Sequence, residues 1–131
     1  MTEEKDKLQT RKERYLRDPL PVRLGNLASN LSRMKSFARH TTMADAARKV
    51  VYESENFIEW TAADATIEVQ VELVELQRLL AGWQLGWDEI WAEDERRGSV
   101  AAQADAWAKR ILERSGLLPP VVNQPEQQEV K

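Results

Sequence analysis

His40 is the only histidine in the chain, and there is no cysteine. These two residue types supply many of the general bases, nucleophiles and transition-metal ligands of proteins. A zinc-type centre needs several convergent ligands, so one imidazole without a thiol makes none. The pattern places His40 at the C-terminal end of a helix, where an imidazolium favours the dipole. Carboxylates are the remaining candidates. Glu68, Glu72 and Glu75 have helical spacing, like the ligand rows of di-metal helical proteins. Those sites need Glu-x-x-His from two helices, which this sequence lacks. The three glutamates therefore read as a solvated acidic stripe. Asp88, Glu89, Glu93, Asp94 and Glu95 form a second cluster. It falls toward the expected C-terminus of a helix, where negative charge is unfavourable. Pairing with Arg96 and Arg97 is the simpler account; a site for a basic partner is the sharper one. No glycine-rich phosphate loop, serine nucleophile elbow or Ser-x-x-Lys arrangement occurs. The sequence predicts a non-enzyme without metal or cofactor.

The elements that would position any site are helical. Val69, Leu73, Leu76, Leu80, Trp83, Trp87 and Ile90 alternate in spacings of four and three, a helical seam. This predicts one long helix from Thr61 to about Arg97, closed by Arg97-Gly98-Ser99. Within it, Thr66 to Glu72 alternates like a strand, but the continuing seam outweighs that local signal. A second seam, Leu20, Leu24, Leu27, Leu31, Met34 and Ala38, follows Asp18-Pro19, which reads as an N-cap with proline in the first turn. Thr42 with Asp45 resembles a capping box before a helix carrying Ala47, Val50, Val51, Phe57 and Ile58. Thr61 with Asp64 repeats that spacing and predicts a break at Thr61. Val100, Ala104, Trp107, Ala108, Ile111 and Leu112 line a last helix, and Gly116-Leu117 suits a left-handed C-terminal cap. Short links make sequential helices antiparallel neighbours.

The predicted architecture is an all-α, four-helix bundle-like domain over 18–118 with one long central helix. A charged arm occupies 1–17, and a Gln- and Glu-rich disordered tail occupies 119–131. The arm carries too little apolar content, in Leu8, Tyr15 and Leu16, for firm burial. The long helix would outreach its neighbours, which predicts either end-to-end stacking of the helices beside it or a homodimer that covers the excess. With 131 residues and a formal net charge of -3, the chain shows no overall bias toward nucleic acid or membrane. Arg23, Arg33, Lys35 and Arg39 scatter around their helix, so no nucleic-acid partner is expected. The start of the chain does not read as a signal peptide, and no window has the length of apolar residues that a membrane span needs. A cytoplasmic protein, or one peripheral to a membrane complex, is expected. The basic stretch 19–40 and the acidic stretch 61–98 suggest charge complementarity between packed helices.

Two features read as contact surfaces. Gly25, Ser29, Ser32 and Ser36, flanked by Arg33, form a small-residue seam roughly opposite the leucines of their helix. They read either as a solvated face or as a partner-binding surface of close helix approach. A glycine inside a helix costs about 1 kcal/mol against alanine, so Gly25 invites a reason. Gly82 and Gly86 interleave with Trp83, Trp87 and Trp91. Core packing is the main account of these aromatics, and a ligand or pigment pocket is the alternative.

The run Asp18-Pro-Leu-Pro-Val-Arg-Leu-Gly-Asn-Leu-Ala-Ser-Asn-Leu-Ser-Arg-Met-Lys-Ser-Phe37 carries a resemblance, with Phe57-Ile-Glu-Trp-Thr61, Glu72-Leu-Val-Glu-Leu-Gln77 and Ser115-Gly-Leu-Leu118. Together they resemble a small conserved all-helical family of cyanobacteria with no assigned activity. The resemblance spans about residues 18–118 and leaves out the arm and tail. It implies a cytoplasmic or thylakoid-associated setting and carries over no catalytic residue. The expected function is a non-catalytic helical interaction protein: an accessory, assembly or regulatory subunit that binds a protein partner of unknown identity. A ligand- or pigment-binding bundle using Trp83, Trp87 and Trp91 is the alternative.

Overall fold

Leu24, Leu27, Leu31 and Met34 are each no more than 2% exposed. They are the inward face of a helix that two others flank. In the computed structural model, which describes residues 2–117, this helix is α2 (Leu20–Phe37). It follows α1 (Thr2–Leu16) and precedes a short 3-10 turn (Thr41–Met43), α3 (Ala44–Ala62), α4 (Ile67–Leu85), α5 (Trp87–Ala92) and α6 (Asp94–Ser115). The described residues are all-helical and contain no strand. The tail expected from residue 119 lies outside them. α2 packs against α6 and α3, α3 against α4, and α5 against α6. Among the described residues, no helix is long and apolar enough to cross a membrane.

The single long helix expected over 61–97 is instead three segments. The backbone leaves helical geometry at Gly86 (φ -105, ψ 26) and becomes extended at Glu93 (φ -123, ψ 125). Arg97-Gly98-Ser99 consequently lies inside α6 rather than closing a helix. The seam survives because the break at Gly86 is mild and keeps phase: Trp83, Trp87 and Ile90 are all buried. α2, α3, α4 and α6 have 18, 19, 19 and 22 residues. At 1.5 Å per residue they span about 27 to 33 Å, so none outreaches its neighbours. Continued through the mild break into α5, α4 covers 67–92, about 39 Å, so the excess length is smaller than the 61–97 span predicts.

The break also explains the acidic cluster. Asp94 and Glu95 lie in the first turn of α6, and Asp88 and Glu89 in the first turn of α5. Negative charge is favourable there. Arg96 pairs with Glu93 at 3.1 Å, and Arg97 with Asp94.

The other helix ends differ locally from expectation. α3 runs through Thr61, which is fully buried, and the link follows Ala62. Thr66 is the N-cap of α4, accepting the Val69 N–H at 3.3 Å. The 3-10 turn begins α3 in place of a Thr42 side-chain cap. Pro19 is the N-cap of α2, so Asp18 makes no side-chain cap there. Gly116 adopts φ 75, the left-handed cap that the sequence predicts. His40 is exposed, and its backbone N–H closes the last turn of α2 on the Phe37 carbonyl at 3.0 Å.

α1 is helical and exposed along most of its length, but Tyr15 is buried. Its ring stacks on Phe57 with centroids 4.3 Å apart and tilts against Trp60 at 5.6 Å. Buried Arg23 ties the neighbouring links: its Nε donates to the Asp18 carbonyl at 3.0 Å, and it pairs with Asp64 at 2.9 Å. That contact is one charge pair between 19–40 and 61–98, but Asp64 lies in the link between α3 and α4, so it does not join two packed helices as the charge pattern suggests. Lys35 pairs instead with Asp105 on α6 at 3.2 Å.

Candidate functional site

The small-residue seam of α2 borders an open groove of about 450 Å³ against α6. Gly25, Ser29, Ser32 and Arg33 line one wall, and Asp105 and Lys109 line the other. Ser36 is exposed further along the helix. A Cβ on Gly25 would lie 2.8 Å from the Leu117 side chain. The close approach that Gly25 permits is therefore made by the chain's own Leu117. Arg33 donates to Asn30 at 2.6 Å, and buried Asn30 donates to Glu53 on α3 at 3.0 Å. This end of the seam is engaged within the molecule.

The tryptophans fill space. Trp83 and Trp87 are buried, and Trp91 is half-buried. Trp87 and Trp91 stack with centroids 4.9 Å apart and planes 21° apart. The Trp91 Nε1–H donates to the Thr41 carbonyl at 3.1 Å, and the Arg48 guanidinium lies 5.7 Å from the Trp87 ring centre. An aromatic cleft lies elsewhere, between α1, α2 and α3. It measures about 200 Å³ and is lined by Tyr15, Phe57 and Trp60 with Arg11, Arg14 and Asn56.

The acidic stripe of α4 is only partly solvated. Glu68 and Glu75 are exposed, but Glu72 is buried. The Glu72 carboxylate accepts from Arg114 Nε at 3.1 Å and from the guanidinium NH2 at 2.8 Å, with Arg110 at 3.5 Å. The Arg114 hydrogen bonds hold the Glu72 carboxyl below the ordinary glutamate range, against the opposing effect of burial. Arg110 also reaches Glu75 at 3.3 Å and lies over the Trp107 ring at 4.3 Å. These contacts fasten α4 to α6. Among the described residues, no group of three His, Cys, Asp or Glu side chains could hold a metal ion.

The surface that sequence reasoning missed is the other side of α4. Leu73, Leu76 and Leu80 face inward at 0% exposure. Opposite them stand Ile67 at 70%, Val71 at 55%, Val74 at 58% and Leu85 at 90%. Arg78 and Ala81, also exposed, complete one row in spacings of four and three. α4 therefore carries two apolar stripes, where a surface helix ordinarily carries one. The strand-like alternation from Thr66 to Glu72 is the signal of both: Val69 points in, and Ile67 and Val71 point out. Gly82 borders the outer row, with nothing within 4 Å of where its Cβ would be. Its cost in a helix, about 1 kcal/mol against alanine, has no steric reason among the described residues.

Comparison of this chain with protein-family models, with curated proteins and with solved structures finds no match.

Proposed function

We propose that this chain is a non-catalytic helical interaction protein that engages a protein partner through the outer face of α4. The observation that carries the reading is the row Ile67, Val71, Val74 and Leu85, each more than half exposed on one helix face. Exposed apolar side chains gathered on one face mark contact sites on soluble proteins; Ile67, Val71 and Val74 form such a group, with Arg78 and Ala81 between it and Leu85. The four long helices serve as a bundle-like scaffold that holds this face rigid. An accessory, assembly or regulatory subunit fits this construction. The resemblance to a cyanobacterial family adds a cytoplasmic or thylakoid-associated setting.

Affinity capture from a cyanobacterial lysate tests the reading. The wild-type chain and Val74→Asp serve as paired baits. Loss of the principal partner with Val74→Asp supports it, provided the variant melts like wild type. Retention of that partner rejects the α4 face and turns attention to the Ser29, Ser32 and Ser36 face of α2, for which Ser32→Trp is the corresponding variant. A ligand or pigment at Trp83, Trp87 and Trp91 is the second reading, and it would have to part the Trp87–Trp91 stack. Visible absorbance that copurifies with the protein from its host would favour it.

A further inference from the structure

Building on that reading of α4, we propose that the occupant of its outer face is a second copy of this chain, seated antiparallel about a twofold axis beside residue 76.

The spacing of the row fits a twofold pairing, as any row in alternating steps of four and three does, and the charges then set its direction. Ile67, Val71, Val74, Arg78, Ala81 and Leu85 are separated by four, three, four, three and four residues. This series reads the same in both directions about residue 76. An antiparallel copy therefore sets Ile67 against Leu85 of the second copy, Val71 against Ala81, and Val74 against the aliphatic stem of Arg78. A twofold interface must be self-complementary in this way. The two most exposed members, Ile67 at 70% and Leu85 at 90%, are the ends of the row, so neighbouring elements leave its full length open. Small residues at Ala81 and Gly82 allow the second helix to approach closely.

Charge selects the direction. Arg78 is exposed and makes no ion pair among the described residues. Glu75, which Arg110 of its own chain also reaches at 3.3 Å, is half-exposed and lies one turn before it on the same side of the row. In the antiparallel arrangement each Arg78 falls beside Glu75 of the other copy, giving two reciprocal pairs. A parallel arrangement in register would set Arg78 against Arg78. Charges at an interface rim act mainly on register and partner choice in this manner.

The chain lacks cysteine, so introduced thiols report geometry directly. Sedimentation of the wild-type chain should show a monomer–dimer equilibrium below about 200 µM, the weak range expected of a one-helix interface. Val74→Lys should weaken it by about a hundredfold, since each buried ammonium would face Arg78 of the other copy. Arg78→Glu should weaken it, and Arg78→Glu with Glu75→Arg should restore it. An equimolar mixture of Ile67→Cys and Leu85→Cys chains should oxidise to the mixed disulfide. Like residues should not cross-link: at 1.5 Å per residue, the two copies of position 67 lie about 27 Å apart along the axis. A wild-type monomer throughout this range overturns self-pairing, as does a dimer indifferent to Val74→Lys. Disulfides between like residues overturn the antiparallel direction. The broader reading fails separately, when Val74→Asp also retains every captured protein.

Discussion

The Tyr15 hydroxyl lies 2.7 Å from the Thr61 hydroxyl, across 46 residues of sequence, and donates to the Arg23 carbonyl at 3.1 Å. One side chain thus joins the end of α1, the first turn of α2 and the end of α3. Tyr15→Phe would keep the ring stack and leave a buried Thr61 hydroxyl without this partner. The cost should be about 1 to 2 kcal/mol, or roughly 4 to 8 °C in melting temperature. Removing residues 1–11 should barely alter melting, whereas removing 1–17 should cost more than Tyr15→Phe. Equal melting of both truncations would mean that the tyrosine anchor contributes nothing.

The same burial sets an alkaline limit. Desolvation pushes the Tyr15 hydroxyl up from 10.0 to about 12. The unfolded chain releases this proton from about pH 10, while the folded chain holds it to about 12. The associated stability is complete below pH 10 and is lost progressively as pH rises toward 12, on the order of 2 kcal/mol in all. Chemical denaturation between pH 9 and pH 12 should show a decline that is shallower in Tyr15→Phe. Parallel declines would reject Tyr15 as its source.

Tyr15 also shows where sequence reading stops. It is a lone buried aromatic in a charged, aperiodic segment, so no pattern announces it. The inward seams of α2, α4 and α6 were legible because repetition at helical spacing leaves few alternatives. The turn at Gly86 was hidden for the opposite reason: a mild break keeps Trp83 and Trp87 on one face, so the seam runs through it unchanged. Two local signals pointed to that turn, the interior Gly86 and the acids at 88–95. The acids are anomalous only if the helix is continuous. The outer face of α4 was written in the sequence too, but as an apparent strand, because two helical stripes half a turn apart interleave into alternation. The reason for Gly25 could not be read, since Leu117 meets it only in three dimensions.

Glu72 and Arg114 should make the protein acid-sensitive. Hydrogen bonds from Arg114 lower the Glu72 carboxyl below its ordinary 4.5. The pair's contribution is therefore complete above the ordinary glutamate range and is lost as pH falls through the lower folded value. Glu72→Gln should cost about 1 to 2 kcal/mol at pH 7, the smaller end being favoured because Arg114 is 45% exposed and regains water. Melting temperatures of the variant and wild type should converge as the pH drops below 4.5. A gap that persists unchanged into strong acid would assign the loss to packing rather than charge.

Trp87 and Trp91 stack on each other but should not be equivalent. Trp87 is 4% exposed within the core cluster, so Trp87→Ala should cost about 3 to 5 kcal/mol. That is a large part of the 5 to 15 kcal/mol or so that stabilises a typical domain. Trp91 is half-buried, and Trp91→Ala removes one stacked pair and the hydrogen bond to Thr41. Each is worth about 1 kcal/mol, so the loss should be near 2. Trp91→Phe should recover the stacking share alone. Thermal melts of the three variants would order as Trp91→Phe, Trp91→Ala, Trp87→Ala, from mildest to most severe. A Trp87→Ala protein that melts with wild type would mean that the indole stabilises no core, and the ligand-binding reading of this segment would then take precedence over the packing one.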